Sequence, residues 1–144
     1  MHPFPHHYIV SSVTGPDGDV VLECAGIAPL ATVTPPEFDG PGGKWSPETL
    51  LVAAVADCFL LTFRGIAKAS RMPWTRVSVE CKGTLERPDR YSRFTRFDIR
   101  AAVVLPADVS EDQARRILTR SEETCLITRS LAAETHLEIE IARA

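Results

Sequence analysis

Two thiols carry the chemistry this chain could perform. Cys58 lies within a helical-looking run, residues 50–69, and Cys125 follows a well-capped helix near the C-terminus. Thiols of this kind can pass between thiolate, sulfenic acid and disulfide, so two of them have the makings of a redox couple. They do not make a zinc site. Cys24, Cys58, Cys81 and Cys125 are never closer than 23 residues in sequence, whereas structural zinc ligands come in short C-x2-C-like pairs. A cysteine on an apolar helix face is equally an ordinary small core residue, so the residues alone leave Cys58 and Cys125 either reactive or core filling. Cys24 and Cys81, in β-prone segments without an identifiable partner, read as core.

The elements that must position these thiols fit one domain, residues 1–144, because 144 residues with 44% hydrophobic content suffice for one ordinary core and not two. Residues 1–10 hold prolines and histidines but no cationic segment followed by an apolar run, which implies a cytoplasmic protein. The longest apolar stretch, residues 50–61, is broken by Asp57 and is shorter than the ~18 residues of a membrane span, so no membrane association is expected. In a reducing compartment a disulfide among these cysteines would be transient and catalytic rather than structural.

Along the chain, residues 8–13 and 20–24 are short β-prone segments around the turn Gly15-Pro16-Asp17-Gly18, which predicts a hairpin. Residues 31–33 predict a third short strand, and the Pro- and Gly-rich residues 35–43 predict a loop without regular structure. Ser46-Pro47-Glu48 supplies an N-cap, a proline at the first helical position and a first-turn acid, predicting a helix to about Ser70. Leu51, Ala54, Val55, Cys58, Leu61, Thr62 and Gly65 share one side of it, most other early positions are apolar too, and the helix reads as central and buried. Residues 75–86 and 95–105 predict a long antiparallel hairpin. Ser110-Glu111-Asp112-Gln113 is a capping box with a Val109–Ala114 staple, followed by Ala114, Ile117, Leu118 and Ser121 on one face of a second helix. Residues 125–131 predict a short helical turn, with Thr124 as its N-cap and Cys125 at its first position. There the backbone N–H groups would make Cys125 the more acidic thiol. Alternating residues 136–141 close the chain as a strand. The order of elements defines an α+β fold.

Four segments together resemble a known family: PPEFDGPGGKWSPETLL (35–51), VAAVADCF (52–59), RFTRFDI (93–99) and EETCLITRSL (122–131). They look like the osmotically induced protein C and organic hydroperoxide resistance proteins, the OsmC/Ohr family, and more like a less characterised branch than the hydroperoxide resistance branch. The resemblance implies an OsmC-like fold, antiparallel sheets around a buried central helix, in an intertwined homodimer with active sites at the subunit boundary. It implies reduction of organic hydroperoxides, with Cys58 as peroxidatic cysteine, Cys125 as resolving cysteine and Glu48 as the acid organising the site. It calls for no flavin, haem or metal, but for an external dithiol reductant. Glu48 and Cys58 are ten residues apart, about 15 Å along one helix, so a shared site needs Glu48 from the partner subunit or a bent path. By itself, Glu48 is equally an acid suited to a helix N-terminus.

One departure stands out. Peroxidases of this family use an N-terminal arginine to hold the thiolate, and here no arginine precedes Arg64; His2, His6, His7 and Lys44 are the cationic side chains available before it. A second reading is therefore a peroxidase-inactive dimer that binds an apolar or lipid-like ligand near Cys58. Residues 64–100, with ten Lys or Arg against four acids and interleaved Tyr91, Phe94 and Phe97, raise nucleic acid as a rival partner. The net charge of −3 and the alternation of a half-buried strand argue against it.

Overall fold

The computed structural model describes residues 2–144, which form two compact units, Met1–Leu50 and Leu51–Ala144. In the first unit β1 (Ser11–Val13), β2 (Val20–Cys24) and β3 (Ile27–Thr32) form an antiparallel sheet in the order β1-β2-β3. The predicted hairpin is present, but β1 is shorter than residues 8–13. Ser11 already faces Glu23, one residue from the end of β2, so residues 8 and 9 run past the strand they would pair with. β3 begins earlier than residues 31–33 and includes Pro29, which sits beside the irregularity between Leu22 and Cys24, where a missing N–H is tolerated.

The loop expected to lack regular structure contains one 3-10 turn, Pro36–Phe38, closed by Asp39 in the left-handed region at φ 59°. Pro36 opens that turn, at a position where its absent N–H costs nothing. Gly40 is required by close approach: a Cβ there would fall 1.9 Å from the Thr34 carbonyl oxygen. Val33 N donates to Trp45 O at 2.9 Å, tying the two ends of the loop together.

Helix α1 (Pro47–Ala69) starts as the sequence predicts. Thr49 N donates to Ser46 Oγ at 3.2 Å, and Ser46 N donates to Thr49 Oγ1 at 2.8 Å, a reciprocal cap. The helix then runs through the second unit, where it buries Val55, Phe59, Phe63 and Ala67. That stripe is rotated from the expected one: Leu61 is 54% exposed, Gly65 is exposed, and Cys58 is half-buried. Phe59 and Phe63 carry the largest apolar areas on the helix, so they set which side faces the sheet. By length and composition α1 would suffice to cross a membrane, which the shorter stretch of residues 50–61 did not suggest. Its buried stripe instead packs into the protein core.

The second sheet contains β4 (Arg76–Glu86), β5 (Arg93–Leu105) and β6 (Glu134–Arg143) in the order β4-β5-β6. β4 and β5 form the predicted antiparallel hairpin, whereas β6 lies parallel to β5, so this sheet is mixed rather than antiparallel throughout. A parallel neighbour requires a crossover. Residues 106–133 provide it, through α2 (Glu111–Glu123) and the one-turn α3 (Leu126–Arg129). Ser110 Oγ caps α2 by accepting from Gln113 N, and Ala114, Ile117, Leu118 and Ser121 are its buried face, as the sequence predicts. Alternate residues of β5, Phe97, Ile99, Ala101, Val103 and Leu105, join the α1 stripe and α2 in one core. On the outer face Arg96 pairs with Asp98 and Arg100 lies near Glu80, Glu138 and Glu140. Two arginines of the basic strip, Arg96 and Arg100, thus have counter-charges of their own on the sheet.

Candidate active site

Cys58 projects from the half-buried side of α1 into a pocket of about 470 Å³, whose lining includes Ala54, Asp57, Leu61, Thr62, Leu126 and Ile127. Cys125 lies directly before α3 and is fully buried. The two thiols are near enough for Cys58 to raise the pKa of Cys125, and both are reduced. Residues 67 positions apart in sequence are thereby brought together within the second unit.

The environment of Cys125 differs from expectation. Thr124 is the C-cap of α2 rather than an N-cap for α3, and Cys125 itself is the N-cap of α3, with its N–H donated to Glu122 O at 3.2 Å. A four-residue helix offers little dipole, and the buried thiol is pushed up from its ordinary pKa, first by desolvation. The nearby Thr128 N–H and hydroxyl dipoles oppose this rise, while Cys58 adds to it. Cys125 is therefore not acidified by its position.

Cys81 was assigned to the core, and it does pack there, half-buried on β4. Its thiol is pushed up to about 11 by burial, with smaller contributions from Asp98 and Cys125. This third cysteine thus lies within electrostatic range of Cys125, which no sequence spacing shows. Thr128 was likewise missed as a partner of Cys125, because only the turn after Cys125 folds it back: its hydroxyl donates to Cys125 O at 3.1 Å.

Glu48 belongs to the first unit, in the first turn of α1, and its Oε2 is buried without a hydrogen-bond partner among the described residues. Of the cationic side chains before Arg64, Lys44 pairs with Asp19, and the His6 ring stacks on Phe4 and hydrogen-bonds His2 O at 3.0 Å. Among the described residues no group of three or more His, Cys, Asp or Glu is arranged to hold a metal ion.

The fold is that of a small α+β protein, in which Cys58 lies near Cys125. The chain belongs to the OsmC-like protein family, whose model matches residues 40–140 and so spans parts of both units. Uncharacterized protein YmaD of Bacillus subtilis is 25% identical over 138 residues, covering 94% of this chain and 92% of its own. The fold is shared with an OsmC-like protein of unknown function from Vibrio cholerae, at TM-score 0.85 and 19% identity over 94% of this chain and 99% of the other. It is shared also with an organic hydroperoxide resistance protein from Legionella pneumophila, at TM-score 0.76 and 20% identity over 97% and 99% of the two chains.

Proposed function

We propose that this protein is a thiol-dependent reductase of organic hydroperoxides, acting in the cytoplasm as a homodimer. The observation that carries the reading is the proximity of a pocket-lining Cys58 to a buried Cys125, near enough for Cys58 to raise its pKa. The Cys58 thiolate attacks the outer oxygen of ROOH, the O–O bond breaks, and the alkoxide leaves as ROH once protonated. Cys58 is then a sulfenic acid. The Cys125 sulfur attacks it, an S–S bond forms, and the hydroxyl departs as water. A small external dithiol returns both cysteines to thiols by exchange, becoming a disulfide itself. The largely apolar lining around Cys58 suits an organic rather than an inorganic peroxide. Glu48, supplied by the partner subunit, would act as a positioning acid.

A second reading is favoured by one specific observation: no Lys, Arg or His lines the Cys58 pocket, and Asp57 does. Without a cation the thiolate is poorly supported, and the pocket would then hold an apolar ligand without turning over peroxide. Cys58→Ser and Cys125→Ser proteins exposed to an alkyl hydroperoxide and a sulfenic-acid trap separate the two. The peroxidase reading expects trapped sulfenic acid at Cys58 in Cys125→Ser and a Cys58–Cys125 disulfide in the unmodified protein. Unoxidised thiols throughout would leave the ligand-binding reading.

A further inference from the structure

Asp57 is the only charged residue between Glu48 and Arg64, in the middle of a helix that is otherwise uncharged over this span. It lies well past the first turn, where the helix dipole would favour a carboxylate. Its neighbours one turn away on either side, Ala53, Ala54, Leu60 and Leu61, carry no charge that could pair with it. It takes part in none of the ion pairs among the described residues. Aspartate is also a poor helix former in a helix interior. Nothing in the local structure therefore accounts for a carboxylate at this position. Its surroundings do: Asp57 is exposed and lines the Cys58 pocket together with Ala54, Leu61, Thr62, Leu126 and Ile127, none of which is charged. The approach to the thiol thus carries one fixed negative charge in a largely apolar lining.

We propose that Asp57 is a specificity-determining residue that sorts by charge what reaches Cys58, admitting uncharged or cationic hydroperoxides and turning away those with a carboxylate that falls within the pocket. The inference rests on the peroxidase reading for the identity of the substrate, and on the pocket alone for the charge filter. A carboxylate on the incoming molecule meets the Asp57 carboxylate with no cation in the lining to offset it. Apolar walls on either side keep the field of that charge within the pocket. Because Asp57 is exposed, salt screens the repulsion, and the filter changes a rate severalfold rather than closing the site. The chemistry at sulfur is the same for every substrate: the same S–O bond forms and the same O–O bond breaks. Only the approach of the peroxide depends on the charge of its organic part.

The test compares iodoacetate with iodoacetamide, nearly isosteric reagents of which only the first is charged, with alkylation of Cys58 followed by peptide mass spectrometry of the full chain at low salt. Both reagents attack the same thiolate, so the ratio of their rates is blind to how much thiolate is present. Relative to an uncharged small thiol, Cys58 should disfavour iodoacetate by about threefold or more, and the gap should narrow as salt is raised. Asp57→Asn should return the ratio to that of the small thiol, and Asp57→Lys should invert it. A merely structural effect of either substitution would move both rates together. Cys24, which lies in the first unit and does not line the pocket, should keep its ratio in all three proteins. A Cys58 ratio equal to that of the small thiol, or one unchanged in Asp57→Asn, would overturn the proposal. Cumene hydroperoxide and its para-carboxylate then test the substrate class: the uncharged peroxide should oxidise the unmodified protein severalfold faster, and Asp57→Asn should close the gap. Equal oxidation by both would overturn the inference and leave the peroxidase reading standing. Oxidation by neither would overturn that reading and the substrate class with it, and the alkylation ratio alone would then decide whether the charge filter stands.

Discussion

At the scale of single residues, the thiols differ by what surrounds them. Burial disfavours the Cys125 thiolate, while the dipoles of the nearby Thr128 N–H and hydroxyl favour it. Thr128→Val removes the side-chain part of that support, so Cys125 should titrate higher, and disulfide formation after peroxide treatment should slow several-fold at neutral pH. Stopped-flow Trp fluorescence or quenched thiol counting would measure it, and an unchanged rate would show that resolution is not limited by Cys125. Cys81 offers a pH test. Its folded pKa of about 11 lies above that of an unfolded cysteine, ~8.5. The contribution of its neutral thiol to stability is therefore fully present below about pH 8.5 and is lost as pH rises toward the folded value. Urea unfolding between about pH 8 and 11 should show stability falling, and Cys81→Ala should make that fall shallower. Parallel profiles for the two proteins would place the alkaline loss elsewhere.

At the scale of elements, α1 depends on a cap at one end and two rings in its middle. Ser46→Ala breaks the reciprocal cap with Thr49 and should cost about 1 kcal/mol. Phe63 is fully buried and meets Trp74 edge-on at a ring separation of 5.5 Å. Phe63→Ala should therefore cost about 3–5 kcal/mol, from lost transfer energy and the cavity left behind. Chemical denaturation of both variants would test the ordering, and a larger loss at Ser46 than at Phe63 would contradict it. β4 approaches α1 at Gly83, where a Cβ would come within 2.7 Å of Val52 and 2.8 Å of Phe94. Even a methyl group there must displace the Val52 or Phe94 side chain.

At the scale of the whole molecule, one chain leaves apolar surface that water does not favour. Leu61 and Leu126, 54% and 66% exposed, both line the Cys58 pocket. In a homodimer the partner would cover this side of α1. Light scattering of the unmodified protein should then give twice the chain mass at low micromolar concentration, and Leu61→Asp should shift it to monomer by burying an unpaired charge at the interface. A monomeric unmodified protein would mean that this face serves another purpose.

The sequence by itself determined the local features, because capping, turn chemistry and period are written in neighbouring residues. The Ser46 start of α1, the Ser110 box, the buried face of α2 and the β4–β5 hairpin all follow from them, as does family membership through motifs at residues 35–59, 93–99 and 122–131. Tertiary structure decided what depends on competition or on distance. Nearly every early position of α1 is apolar, so periodicity could not say which stripe would win, and the Phe59 and Phe63 rings settled it against the sheet. The parallel placement of β6 depends on a crossover whose path is not written in the strand itself. Cys125 was expected at a helix start that would acidify it; the chain instead ends α2 at Thr124 and buries the thiol, so desolvation outweighs any dipole. The nearness of Cys81 to Cys125 and the orphaned Glu48 oxygen belong to the same class. Each arises from packing between segments far apart in sequence, which no local pattern encodes.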